Sequence, residues 1–390
     1  MRIMFKNEVA EFIYKRTYSR WLEDENRRED WPETIERLIT FLISKRPDIP
    51  DKTIVKLRKY MLEFAVMPSM RFLWAAGPAA DFDNTCIYNC AFAKINSIEA
   101  FSECLYILMC GTGFGFSVEQ EEVVKLPEVP EIKSGQGLPK ITLKDSKAGW
   151  ADSVKILMGS LYDGQNLYFN YSKIRPEGAR LKTMGGRASG PLPLIKLHDF
   201  IRETMHNAQG RKLTPLEAHD ICNQIAEIVV VGGVRRSSQI SLSDLDDKNM
   251  RHAKDWPYPI KRAMANNSAI YKEKPSAAQF LKEWGSLALS GTGERGIFNL
   301  SAAQSKAPSR RYAPLIQGTN PCGEIMLRDM QFCNLSEVVI REEDDLDSLL
   351  DKVETAAWLG VIQSTFTDFP YLRKEWKKNC DVERLLGVSL

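Results

Sequence analysis

Apolar residues recur at three- and four-residue spacing over 8–24, 32–44 and 51–64, the period of a helix with one buried face. Pro32 falls where a first helical turn tolerates it, and Asp51, preceded by Pro50, is placed to cap the third segment. From residue 67 the pattern changes. Short apolar runs at 90–93, 115–118, 239–242, 268–271, 297–300 and 333–340 alternate with helical periods at 98–109, 216–231 and 276–290. Runs of that length between helices predict an α/β fold with parallel strand pairing. The chain therefore divides into a helical region over 1–66 and an α/β region over 67–390.

Within the second region, Asn320-Pro321-Cys322-Gly323-Glu324-Ile325 is followed by Cys333. Pro fixes φ and Gly admits backbone closed to other residues, so Cys322 is predicted on a tight, exposed turn. Glu324, if desolvated beside a substrate hydroxyl, would have a raised pKa and could exchange a proton with it. Asn320 offers both a donor and an acceptor to orient that hydroxyl. An amide, two thiols and a carboxylate within fourteen positions are the parts of a sulfur redox site, although a surface turn with an incidental cysteine has the same local signature.

Three other stretches suit phosphates or bases. Gly111-Thr112-Gly113-Phe114-Gly115-Phe116 has glycines spaced to let backbone N–H groups approach an anion, but it follows a helix, so it is not a dinucleotide fingerprint and reads equally as a helix-to-strand turn. Ser69, between Pro68 and the nearby Arg71, could hold a phosphate or simply make a turn. Gly232-Gly233-Val234-Arg235-Arg236-Ser237 places two always-charged planar donors on a glycine-rich backbone.

Composition narrows the setting. With 390 residues, 44% of them apolar, the chain can bury one large core or two smaller ones. The net charge of +2 (53 basic minus 51 acidic) gives no electrostatic case for nucleic acid or an anionic membrane. No run approaches the roughly 18 apolar residues of a membrane span, and the first residues lack the apolar core of a signal peptide. Eight cysteines are far too sparse for a disulfide scaffold, so a reducing cytoplasm is expected. Cys86 lies four residues before Cys90, but the four histidines form no short cluster with them, and no metal site is predicted. Cys86, Cys104, Cys110, Cys222 and Cys380 read as small buried apolar residues.

The Cys322 segment resembles the active-site finger loop of ribonucleotide reductases. Arg16-Thr17-Tyr18-Ser19-Arg20-Trp21, Pro68-Ser69-Met70-Arg71, Asn89-Cys90-Ala91-Phe92, Gly111 to Phe116, Ile174-Arg175-Pro176-Glu177-Gly178, Gly232 to Ser237 and Gly296-Ile297-Phe298-Asn299-Leu300 follow in the order of the monomeric, adenosylcobalamin-dependent ribonucleoside-triphosphate reductases. The resemblance implies a ten-stranded α/β barrel built from two half-barrels with the finger loop through its centre. Residues 67–390 would supply the first half-barrel, the loop and the start of the second half.

By the same resemblance Cys322 would carry the thiyl radical, Glu324 would exchange the 3′-hydroxyl proton, Asn320 would orient the ribose, and Cys90 with Cys333 would form the redox disulfide. Ser69, Gly111 and Gly113 would bind substrate. Gly233, Arg235, Arg236 and Ser237 would form the loop that translates the bound effector into a choice of base, with Asp145, Ser146 and Trp150 near the effector site. The implied cofactor is adenosylcobalamin, and the implied partners are ribonucleoside triphosphates, deoxynucleotide effectors and thioredoxin or a similar dithiol.

The chain departs from the family in length. It stops at Leu386-Gly387-Val388-Ser389-Leu390, an apolar strand-like run, where the family continues through much of the second half-barrel, so about half the usual chain and a complementary C-terminal part are expected. No ATP-cone motif is evident. A class I large subunit would use a separate radical-generating subunit, and a glycyl-radical enzyme would not need the Cys90/Cys333 pair. A non-enzymatic nucleotide-binding or assembly subunit is the other reading.

Overall fold

The computed structural model describes residues 5–133, 138–181, 187–229 and 238–390. These form two compact units, one of residues 5–89 and 332–390 and one of the described residues between 90 and 331. The fold is mixed α/β.

In the first unit, helices Glu8–Thr17, Trp31–Lys45 and Asp51–Leu62 occupy the three periodic segments. The first is shorter than its pattern. It ends at Thr17, and Trp21–Leu22 pairs antiparallel with Arg27–Arg28 instead, across a polar turn in which Asn26 takes φ +51°. Acidic and amide residues at 23–26 favour that turn over a continued helix. Asp30 and Glu33 close a capping box on the second helix, with Pro32 in its first turn. Asp51 does not cap the third: it is the first helical residue, and Pro50 holds the cap position without a side-chain bond.

Trp31 stacks on Phe64 with ring centroids 4.5 Å apart, above buried Ile35, Leu38 and Met61. Behind these helices Gln331–Val338 pairs antiparallel with Val66–Pro68 and parallel with Leu385–Ser389. Asn89 fastens to the same strand: its N–H donates to the Cys333 carbonyl (3.2 Å) and its Oδ1 accepts from the Leu335 N–H (3.1 Å).

The second unit is built on five parallel strands, Cys90–Lys94, Gly113–Ser117, Gln239–Asp244, Ala265–Ile270 and Gly296–Phe298, each paired with the next. Alternating strands and helices produce this order because each crossover lays the next strand beside the last. Ile98–Met109, Lys147–Tyr162, Leu192–Asn207 and Pro215–Val229 pack against one another as the helical layer. The run expected as a strand at 297–300 is cut short, because Asn299 caps a new helix, Leu300–Ser305, by accepting the Ala302 N–H at 2.9 Å. Among the described residues neither unit by itself closes a barrel, and no helix is long and apolar enough to cross a membrane.

Two buried polar contacts lock the second unit. Helix Ala277–Ser290 turns Glu283 inward, where Arg295 Nε (2.5 Å) and Arg251 Nε (2.7 Å) donate to its two oxygens, and Arg295 also reaches Ser243 Oγ (3.1 Å) and the Asp244 carbonyl (2.8 Å). His219, wholly buried, lies 2.9 Å from Ser241 Oγ, and burial pushes its imidazole down from 6.5 to about 3. A lowered folded pKa means the folded chain resists protonation while the unfolded chain accepts it. Stability from this group is therefore complete above about pH 6.5 and declines as pH falls toward 3. Urea unfolding between pH 7 and 4 should show that decline, and His219→Gln should flatten it. An unchanged slope in the variant would assign the acid sensitivity to other groups.

Candidate active site

Cys322 sits at the tip of a hairpin. Gly318 pairs with Leu327 and Thr319 with Met326, leaving residues 320–325 as the turn. Asn320 organises it: its N–H donates to the Ile325 carbonyl (3.2 Å), its Oδ1 accepts the Ile325 N–H (3.0 Å), and its carbonyl accepts the Gly323 N–H (3.0 Å). Gly323 takes φ +87°, a region that costs a side-chain-bearing residue strain. Pro321 and Cys322 thereby occupy the two central positions of a tight turn, as their sequence predicts.

Of the eight cysteines, Cys322 alone is exposed. Asn320 is fully buried; its Oδ1 is spent on the turn, and its Nδ2 has no hydrogen-bond partner among the described residues. A buried amide without a partner is costly, so this group is free to donate to a ligand. Glu324 is exposed. The burial that its expected role called for is not present in this structure, because the turn carries residues 322–324 out into solvent.

The hairpin approaches the strands through glycine. Cys90, buried at the start of its strand, pairs with Gly113. A Cβ on Gly113 would lie 3.1 Å from Cys90 Sγ and 3.2 Å from Pro321 Cγ, so a bare backbone at this position lets the turn and the thiol come together. Gly111, at φ +80°, ends helix Ile98–Met109, its N–H donating to the Leu108 carbonyl at 2.8 Å. Both glycines thus have local reasons to be glycine apart from any anion.

Cys333 is buried on the Gln331–Val338 strand of the first unit. Ser69, also in that unit, caps helix Met70–Ala75: its Oγ accepts the Phe72 N–H at 3.1 Å, with Gln363 Nε2 3.5 Å away. Gln363 carries no sequence signal for this place beyond being a polar residue in an apolar helix.

The Asp145 stretch is a helix entry. Ser146 Oγ accepts the Gly149 N–H (3.0 Å) to cap Lys147–Tyr162, Trp150 is buried, and Asp145 Oδ2 accepts from Arg175 Nε at 2.6 Å. A charge pair is therefore present, and Arg175 is the partner that sequence reasoning left without a role. Gly233, Arg235, Arg236 and Ser237 lie outside the described residues.

Known proteins resemble this chain in sequence and in fold. Residues 2–78 match the family model for the ribonucleotide reductase alpha domain, and residues 132–205 match that for the insertion domain of B12-dependent ribonucleotide reductases. The second match takes in Asp145, Ser146 and Arg175. The chain is 29% identical over 471 aligned positions to the adenosylcobalamin-dependent ribonucleoside-triphosphate reductase of Lactobacillus helveticus, covering 98% of this chain and 61% of that protein. It is 30% identical over 473 positions to the Lactobacillus gasseri enzyme of the same name, with coverage again 98% and 61%.

A solved B12-dependent (class II) ribonucleotide reductase superposes with TM-score 0.78 at 25% identity, over 97% of this chain and 62% of that one. The class Id alpha subunit of Actinobacillus ureae shares the fold, with TM-score 0.57 at 13% identity over 100% of this chain and 60% of that one. The chain is a homologue of the adenosylcobalamin-dependent ribonucleotide reductases. It spans about 61% of the length of the curated relatives it matches, more than the half expected.

Proposed function

We propose that this chain takes part in the reduction of ribonucleoside triphosphates to 2′-deoxyribonucleoside triphosphates by cysteine radical chemistry. The observation that carries the reading is the Cys322 turn: an exposed thiol at the tip of a hairpin organised by Asn320, with Pro321 close over Gly113, the strand neighbour of buried Cys90. The ten-stranded closure of the barrel, with residues 1–66 as a helical region ahead of residues 67–390, belongs to this reading.

In the reaction, Cys322 as a thiyl takes the ribose 3′ hydrogen and later returns it. Glu324 accepts the 3′-hydroxyl proton once bound substrate covers it, and Asn320 Nδ2 donates to the ribose. Cys90 and Cys333 deliver two electrons and two protons, the 2′-hydroxyl leaves as water, and the two thiols become one disulfide. Thioredoxin or a similar dithiol reduces that bond again. Asn89, directly before Cys90 in the chain, is bonded to the Cys333 carbonyl, which supports the pairing.

Adenosylcobalamin, when bound, would supply the radical delivered to Cys322. An accessible thiol on a projecting turn fits the approach of so large a group, and the B12-dependent insertion-domain match points to the same cofactor. Ser69, Gly111 and Gly113 are the substrate contacts in this reading, with Ser69 binding through the helix end it caps. Asp145 and Ser146 belong to an effector site whose message reaches the base through Gly233, Arg235, Arg236 and Ser237. A reducing cytoplasm suits a site built on cysteine thiols.

The test supplies ribonucleoside triphosphate, adenosylcobalamin and a dithiol to the chain, alone and together with a polypeptide covering the rest of a relative's length. Deoxynucleotide should form in at least one arm. After a turnover without external reductant, peptide mapping should find Cys90 joined to Cys333; Cys90→Ser or Cys333→Ser should then stop turnover with thioredoxin. No product in either arm, or a bond joining Cys86 to Cys90, would remove the reading or its redox pair.

A further inference from the structure

The reach of Cys322 depends on how deeply its hairpin sits, and the contacts at the hairpin base are unusually close. A Cβ on Gly318 would lie 2.1, 2.2 and 2.5 Å from Cζ, Cε2 and Cε1 of Phe92, so the ring stands with its far edge against the Gly318 backbone. One residue on, the Thr319 carbonyl would be 2.3 Å from a Cβ on Gly115, whose position is also bounded by Phe92 Cδ2 (3.3 Å) and Ile240 Cγ2 (3.2 Å). Two residues further, Pro321 meets Gly113 beside Cys90.

Gly113 and Gly115 lie two apart on one strand and therefore on one face. Thr319 and Pro321, also two apart, meet them in opposite order. Neither Gly115 nor Gly318 has positive φ, so contact, not backbone conformation, demands glycine at both. Phe92 is fully buried beneath them.

We propose that Gly318, Gly115 and Phe92 form a seat that sets the depth of the hairpin, holding Pro321 over Cys90 and fixing the reach of Cys322. These are positioning residues: they act through the Cys322 turn and touch no reacting atom. Their catalytic consequence rests on the reading of Cys322 as the radical thiol, whereas the seat itself is a matter of packing. Adding one methyl group at Gly318 should lift the hairpin, because close-packed surroundings cannot absorb an atom 2.1 Å from a ring carbon.

The native cysteines, Cys322 exposed and the other seven buried, serve as the probes. Iodoacetamide labelling, mapped by mass spectrometry, should modify Cys322 readily in the wild-type chain and leave Cys90, Cys104 and Cys222 protected. In Gly318→Ala, Cys90 should label on the order of tenfold faster as its cover opens locally, with Cys104 and Cys222 little changed. Phe92→Leu removes the ring atoms that the new methyl would strike, so the double variant Gly318→Ala/Phe92→Leu should return Cys90 to protection.

Unfolding as a whole would expose all three buried thiols together, and the double variant then decides. Protection restored at all three supports the seat. Labelling that stays high in the double variant, or a Gly318→Ala chain in which Cys90 is as protected as in wild type, overturns it. Alkylation is blind to reductase chemistry, so failure of the deoxynucleotide assay leaves this result standing, and the reverse also holds.

Discussion

Cys322→Ser is expected to lower deoxynucleotide formation by at least about 10⁴-fold, corresponding to roughly 5 kcal/mol or more on the barrier. An alcohol O–H is much harder to convert to a radical than a thiol S–H, so no rearrangement of the turn can compensate. Exchange of the ribose 3′ hydrogen should vanish with it. Because Cys322 is exposed and forms part of no packed core, the substitution should change stability by less than about 0.5 kcal/mol. Loss of activity with an unaltered unfolding midpoint therefore separates chemistry from folding. Measurable turnover by the serine variant, in the arm where the wild type is active, would dismiss Cys322 as the radical residue.

The largest effect on stability should come from Glu283→Ala. Its carboxylate is enclosed with the guanidinium groups of Arg295 and Arg251, all three side chains less than 10% exposed. Removing it leaves two buried cations facing each other with no anion, and breaking a buried pair in this way costs about 3–5 kcal/mol. Burial alone would raise the Glu283 pKa, but the hydrogen bonds from Arg295 and Arg251 outweigh it and hold the carboxyl below its ordinary 4.5. The lowered folded pKa makes this contribution fully present above about pH 4.5 and lost as pH falls below it. Urea unfolding should therefore show wild type and Glu283→Ala converging on acidification. A difference under about 1 kcal/mol at neutral pH would mean that the two arginines find other partners and that the cluster is not what anchors this helix.

Much of this molecule is legible from neighbouring residues alone. The capping box at Asp30 and Glu33, the alternation of strands and helices after residue 67, and the Pro-Cys-Gly turn each arise from interactions within a few positions of the chain. Local patterns report such interactions directly. The same locality explains the misses: a three- and four-residue period continued past Thr17 although a polar turn ends the helix there, and a glutamate in an amphipathic helix gave no sign that it faces inward toward two arginines distant in sequence.

At the site, residue types and their order were enough to nominate Cys322, Asn320 and Cys90, and the resemblance carried by those motifs pointed to the reductases of which the chain is a homologue. What tertiary structure alone decided is which atoms remain available there. The Asn320 carboxamide uses its oxygen in the turn and keeps its nitrogen free, Glu324 stands in solvent, and Asp145 is committed to Arg175. Glycines that in sequence read as an anion loop prove to be places where a hairpin two hundred residues later comes within contact distance of a strand. No local period encodes that approach, because it depends on the space between two segments joined only by the fold.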